Sequence, residues 1–266
     1  MTQAKRALFE RVAGESALII SLPHVGTEFP PDVEARLTPR ARGAEDTDWH
    51  VDLLYGFAQE TGASWLRPRL SRYVVDLNRP PDDAALYPGQ ASTGLCPALA
   101  FDGTPLYTHA APDAAETARR RDLYWAPYHA AIAELVAASR RKHGFAVLLD
   151  AHSIRSHVPR LFEGQLPDVN VGTNDGRSCA AELTAGVMAV LEAQSRFSHV
   201  LNGRFKGGHI TRFYGQPAEG VHALQIELAQ RAYMDESTHA FEARRAAPLQ
   251  AVLAGIVRAL REFRPR

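Results

Sequence analysis

FAVLLDAHS, residues 145–153, is an apolar run without polar alternation that ends in an acid, a histidine and a serine. Such a run fits a strand buried on both faces, as in a parallel sheet. Two other stretches share its form. ALIISLPH (17–24) stops at a Pro-His pair, and HALQIELA (222–229) carries one carboxylate, Glu227, inside an apolar run. DVNVGT (168–173) and residues 198–202 read as shorter strands, and WLRPRLSRYVVDLNRPP (65–81) holds one or two more before its proline pair.

Helical spacing fills the intervals. Residues 47–61 place Trp49, Leu53 and Phe57 beside Val51, Leu54 and Ala58, with Thr47 as the expected N-cap. Residues 114–142 align Tyr124, Tyr128, Ile132 and Leu135, and Pro127 should kink or divide that helix. Residues 177–194 read as a helix. Residues 236–265 form an amphipathic one through Phe241, Leu249, Val252, Ile256, Leu260 and Phe263. Residues 82–112, rich in Pro, Gly, Ala and Thr, read as a long functional surface loop. Strands alternating with helices predict an α/β fold. Its central sheet is mostly parallel or mixed, with helices on both faces, in a single domain over 1–266.

The composition narrows the function. The 266 residues include 30 Lys+Arg and 30 Asp+Glu, with 45% hydrophobic and 23% charged residues, so a sizeable core is expected and wholesale disorder is not. A formal charge of zero argues against nucleic acid as a partner. No apolar run reaches the roughly 20 residues of a spanning helix, so no membrane partner is expected. The first twenty residues lack the basic-then-apolar order of a signal peptide. Cys96 and Cys179 form no CxxC and have no activating basic neighbour; together these features predict a cytoplasmic protein. GxSxG, Walker A and GxGxxG are absent, which leaves a serine-hydrolase elbow or nucleotide loop without support.

Eleven histidines remain to be sorted. Ligands of open α/β sheets bind beyond the carboxyl ends of the strands. His24 and His152 sit at two such ends, and Glu227 lies in the last third of a third strand. Two histidines with one carboxylate are a common catalytic Zn²⁺ ligand set. EDTDWHVD (45–52) offers Glu45, Asp46, Asp48 and Asp52, most of which serve equally well as acids at a helix N-terminus. Asp150, two residues before His152, shares its face; it either orients that imidazole or is a structural acid at the strand end. Glu227 is either in a buried salt bridge, to Arg231 or Arg72, or a general base with a raised pKa. Arg72 and Arg79 suit bidentate carboxylate recognition. KGGHITRFYG (206–215) reads as a turn, its Gly207-Gly208 allowing close backbone approach and presenting His209, Thr211, Arg212 and Tyr214; it is either an ordinary hairpin-like loop or a substrate-binding one. The other eight histidines, His129 among them, are assigned structural or surface places.

As an ordered set, SLPHVGTEFP, DTDWHVDLLY, SRYVVDLNRPP, the Pro-Tyr-His of APYHAAI, LLDAHSIRS, KGGHITRFYG and LQIELAQRAYMDE resemble the N-formylglutamate amidohydrolase family across residues 17–240. The resemblance implies a zinc-carboxypeptidase-like (phosphorylase/hydrolase-like) fold. It also implies metal-dependent hydrolysis of N-formyl-L-glutamate to formate and L-glutamate, the last step of a histidine degradation route. It puts one divalent ion, Zn²⁺, on His24, Asp48 and His152, with Glu227 as the catalytic acid–base. Arg72, Asn78 and Arg79 would then hold substrate carboxylates. The wider carboxypeptidase-like group has an acid three residues after its first ligand histidine. Position 27 here is Thr, with Glu28 one step on, so the third ligand stays open between Asp48, Asp46, Glu45 and Glu28. Rival readings are another zinc N-acyl amino-acid deacylase, a carboxypeptidase-like hydrolase, or a non-catalytic module binding acidic metabolites.

Overall fold

A computed structural model describes residues 7–84 and 93–265. Seven strands form one sheet: β1 (Phe9–Val12), β2 (Leu18–Ser21), β3 (Ser64–Pro68), β4 (Ala146–Ile154), β5 (Val169–Gly172), β6 (His199–Leu201) and β7 (Val221–Ala229). Their order across the sheet is β1-β3-β2-β4-β7-β5-β6. The three apolar runs are β2, β4 and β7, buried throughout and paired in parallel at the centre. β3 joins β2 and β6 joins β5 in parallel, whereas β1 on β3 and β5 on β7 are antiparallel. The sheet is therefore mixed. β1 has no counterpart among the expected strands, because FERV is short and mostly exposed.

Both faces are covered. The helices are α1 (Pro31–Glu34), α2 (Val51–Leu54), α3 (Ala114–Arg120), α4 (Ala126–His143), α5 (Ala181–Glu192), α6 (His209–Tyr214) and α7 (Ala243–Glu262). Alternate residues of each central strand enter opposite cores. Ile20, Leu149 and Ile226 pack with α2, α5 and α7. Ile19, Leu148 and Ala223 pack with α4 through Tyr128, Ile132 and Leu135. By the same alternation Asp150, His152, Gln225 and Glu227 point to the α4 face, at the carboxyl ends of β4 and β7. There His152 pairs with Glu227 and Asp150 with Gln225 in the strand register.

Several elements differ from expectation. Residues 47–61 are a single α-turn, α2, followed by a 3₁₀ segment at Gly56–Thr61. His50, in left-handed backbone at φ 62°, interrupts any longer helix. Thr47 does not cap it; its hydroxyl donates to the Ala44 carbonyl. Pro127 divides the 114–142 stretch: α3 and α4 meet at a π-turn over Arg121–Trp125, leaving the proline in the first turn of α4. Residues 206–215 contain α6 rather than a hairpin-like loop, and α7 starts at Ala243 rather than at residue 236. Of the 82–112 loop, residues 85–92 lie outside the described residues. Residues 93–112 lack helix and strand, yet they bury Leu95, Phe101, Leu106 and Tyr107 and so are not simply surface.

Candidate active site

His24 follows β2 by three residues, and its carbonyl accepts the Asp48 N–H at 3.0 Å. This bond explains why the chain before α2 is not helical: it delivers Asp48 to the end of β2. His152 Nδ1 lies 2.9 Å and His24 Nδ1 3.6 Å from Asp48 Oδ2. All three residues are buried, and their ligand atoms lie within 4.8 Å of one another. The outer nitrogens are held by carboxylates: His24 Nε2 donates to Asp76 Oδ1 at 2.7 Å, and His152 Nε2 to Asp150 Oδ1 at 2.8 Å. Such carboxylates fix the tautomer and turn both Nδ1 atoms inward. His24 Nδ1 and Asp48 Oδ1 are buried without a hydrogen-bond partner. Two imidazole nitrogens and a carboxylate facing a common point fit one divalent ion of the zinc type.

Electrostatics point the same way. Burial works against charge on His152, but Asp150 and Asp48 outweigh it and hold the imidazole well above its ordinary pKa. Burial likewise works against the Asp48 and Asp76 anions, yet His24 with His152, and His24 with Arg72, hold them below the usual carboxylate range. The cluster thus gathers positive charge between its carboxylates, which a metal ion would supply in more concentrated form. Asp76 is the residue that sequence reasoning passed over. Its signal is the spacing of Asp76-x-Asn78, the same as Asp150-x-His152, at the end of an apolar YVV run. It also accepts from Arg72 Nη2 at 2.6 Å and from the Asn78 N–H at 2.9 Å.

The other candidate acids are engaged elsewhere. Asp46 accepts the Phe101 N–H at 2.7 Å, Glu45 pairs with Arg40, Glu28 with Arg69 and Asp52 with Arg67. Arg231 pairs with Asp168 rather than Glu227. Glu227 accepts from Gln225 Nε2 at 3.2 Å, and burial raises its pKa to about 8. Both residues line a cleft together with His24, His152, Arg72 and Asp76.

The model of the N-formylglutamate amidohydrolase family matches residues 16–234. The N-formylglutamate deformylase of Pseudomonas aeruginosa is 54% identical over 249 residues, which is 93% of each chain. That of Pseudomonas putida is 48% identical over 250 residues, again 93% of each. The chain belongs to the N-formylglutamate amidohydrolase family. Among solved structures, the N-formylglutamate amidohydrolase of Ralstonia eutropha JMP134 superposes with a TM-score of 0.82 at 28% identity. The match covers 96% of this chain and 97% of that one.

Within this family member, the residues expected to bind substrate divide into two groups. Arg72, Asn78 and Arg79 line the cleft. Arg72 is drawn toward the site's own acids, 3.5 Å from Asp48 and 2.6 Å from Asp76, with its guanidinium over the Phe101 ring. Asn78 Nδ2 donates to Asp150 at 2.9 Å and touches His152, while its Oδ1 accepts the Ile210 N–H. Arg79 Nη2 donates to Thr93 at 3.1 Å. His209, Thr211 and Arg212, expected on a substrate loop, are not among the cleft-lining residues, whereas Gly208 of that segment is. Being helical, the segment turns these side chains onto the rear of the site. Thr211 donates to Asp150 at 3.2 Å, Arg212 to the Gly207 carbonyl at 2.8 Å, and His209 stacks on Phe213. His129, given no role from sequence, donates from Nε2 to the Leu77 carbonyl at 2.8 Å beneath a stacked Trp125, steadying the Asp76–Arg79 turn. The remaining wall, Phe101, Ile154, Leu161, Arg204 and Phe205, comes from loops whose convergence no local pattern announces.

Proposed function

We propose that this chain hydrolyses N-formyl-L-glutamate to formate and L-glutamate, with one Zn²⁺ held by His24, Asp48 and His152. The observation that carries this reading is the inward convergence of His24 Nδ1, His152 Nδ1 and the Asp48 carboxylate, with both histidines and Glu227 lining one cleft. A bound ion would acidify a water toward a pKa of about 7 and polarise the formyl oxygen. Glu227, whose pKa burial raises to about 8 and a neighbouring cation would lower again, takes a proton from the attacking water. The protonated Glu227 then donates to the amine nitrogen as the C–N bond breaks, since an amine leaves readily only when protonated. Asp76 and Asp150 keep the two imidazoles oriented through their Nε2–H groups. Arg72 offsets the charge of Asp48 and Asp76, and Arg79 faces the substrate beside them.

The same proposal includes a single zinc-carboxypeptidase-like domain, the last step of histidine degradation, and a cytoplasmic setting. Formate release from N-formyl-L-glutamate tests it. Purified protein should release formate, lose that activity to a chelator and regain it with Zn²⁺. Metal-replete protein that releases no formate would overturn the activity, and turnover indifferent to chelator would overturn the metal.

A further inference from the structure

We propose that Arg204 receives the side-chain carboxylate of the substrate and so sets the preference for a diacid. The assignment rests on the hydrolysis of N-formyl-L-glutamate proposed above. It starts from the order of strands. His24, His152 and Glu227 come from β2, β4 and β7, neighbours at the middle of the sheet. Arg72 and Arg79 follow β3, on one side of that group. Arg204 follows β6, the strand at the opposite edge. Guanidinium groups therefore enter one cleft from both sides of the reacting centre.

The two sides suit different carboxylates. Arg72 lies 2.6 Å and Arg79 3.8 Å from Asp76, which itself touches His24, so this pair sits against the centre. The α-carboxylate of an N-formyl amino acid shares a carbon with the scissile nitrogen and belongs on that side. The γ-carboxylate is two methylenes further out and needs a cation at a distance. Arg204 is held to meet it. Its Nε donates to the Leu161 carbonyl at 2.7 Å, and its guanidinium carbon lies 5.3 Å from the centre of the Phe205 ring. Leu161 and Phe205 also line the cleft and offer apolar surface to the methylenes that precede the carboxylate. A half-buried guanidinium at the end of an apolar wall discriminates against a neutral side chain, which would displace water from the charge and return at most one uncharged acceptor in place of a bidentate carboxylate.

Steady-state kinetics on N-formyl-L-glutamate and its neutral isostere N-formyl-L-glutamine read this directly. For Arg204→Gln, kcat/KM on the glutamate substrate should fall by about 100-fold, chiefly through KM, while turnover of the glutamine substrate changes by less than about threefold. Arg204→Lys should recover much of the loss, because the charge remains. Equal loss on both substrates, or an unchanged KM for the glutamate substrate, would overturn the assignment. Melting curves check that each variant is folded. The wild-type preference is a second measurement, independent of any variant: equal use of both substrates would overturn the role of Arg204 while leaving the hydrolase intact. Wild-type protein that cleaves neither would remove the activity itself, and this assignment with it.

Discussion

Glu227, the proposed acid–base, is where stability and chemistry would pull apart at one position. In unfolded chain a glutamate titrates near 4.5, whereas burial lifts the folded group to about 8 when no cation is bound. The folded state then holds one more proton than the unfolded state between those values. Stability must therefore fall as pH rises through that window, by an amount on the order of a few kcal/mol once pH exceeds 8. Glu227→Gln removes the titration and keeps the shape. It should melt higher than wild type at pH 8 when both are metal-free, with little difference near pH 4.5. Its kcat should drop by about a hundredfold to ten-thousandfold, the usual worth of an acid–base group, while bound zinc is retained. Calorimetry, metal analysis and formate release separate these outcomes; near wild-type kcat would show that another group moves the proton. Glu227, His24 and His152 were legible because a charged or imidazole group ending a long apolar strand breaks a strong pattern. Asp76 was not, since its apolar neighbours are short and its partners His24 and Arg72 are brought to it only by the fold.

Helix α6 illustrates what element-level reading recovers and what it loses. Gly207-Gly208 does mark a close approach, as the sequence suggested, but what approaches is the enzyme's own Asn78. A Cβ on Gly208 would lie 2.3 Å from Asn78 Nδ2 and 2.5 Å from its Cγ. Asn78 cannot readily yield, because Asp150 and the Ile210 N–H fix its amide. Gly208→Ala should therefore disturb the Asp150–His152 pair, costing about 1–3 kcal/mol of stability and weakening zinc retention about tenfold or more. Chelator competition and urea unfolding would measure both, and unaltered zinc affinity would show that α6 does not brace the proposed metal site. The α2 region failed for a related reason. Its helical spacing is real, but the Asp48 N–H bonds to the His24 carbonyl and His50 turns left-handed, so tertiary demands on residues 46–50 override local preference. By contrast α4 and α7 emerged close to expectation, since each packs one apolar stripe on a sheet face and carries no cleft-lining residue.

At the scale of the whole molecule, the balanced charge of 30 acids against 30 bases hides a local concentration of buried charge. Asp48, Asp76 and Asp150 are each at most 1% exposed, and Glu227 is buried beside them. Arg72, Arg79 and His152 stand among these acids, so the site concentrates buried charge of both signs at one edge of the sheet. Strands β4 and β7, which carry Asp150 and Glu227, also carry the core, which couples the charge of the site to the stability of the entire sheet. A cation that binds the folded chain alone stabilises it by about 4 kcal/mol when free metal is a thousandfold above its dissociation constant. For a chain of this size that corresponds to a rise in Tm of roughly 8–16 °C. Zinc added to chelator-stripped protein should accordingly raise the melting temperature in proportion to the logarithm of free zinc. The same titration on Asp48→Asn should give a much smaller rise, because the shared carboxylate between His24 and His152 is gone. Melting curves at buffered free zinc provide the measurement. If wild type and Asp48→Asn respond alike, the ion that stabilises this protein binds elsewhere, and the converging imidazoles lose their claim to it.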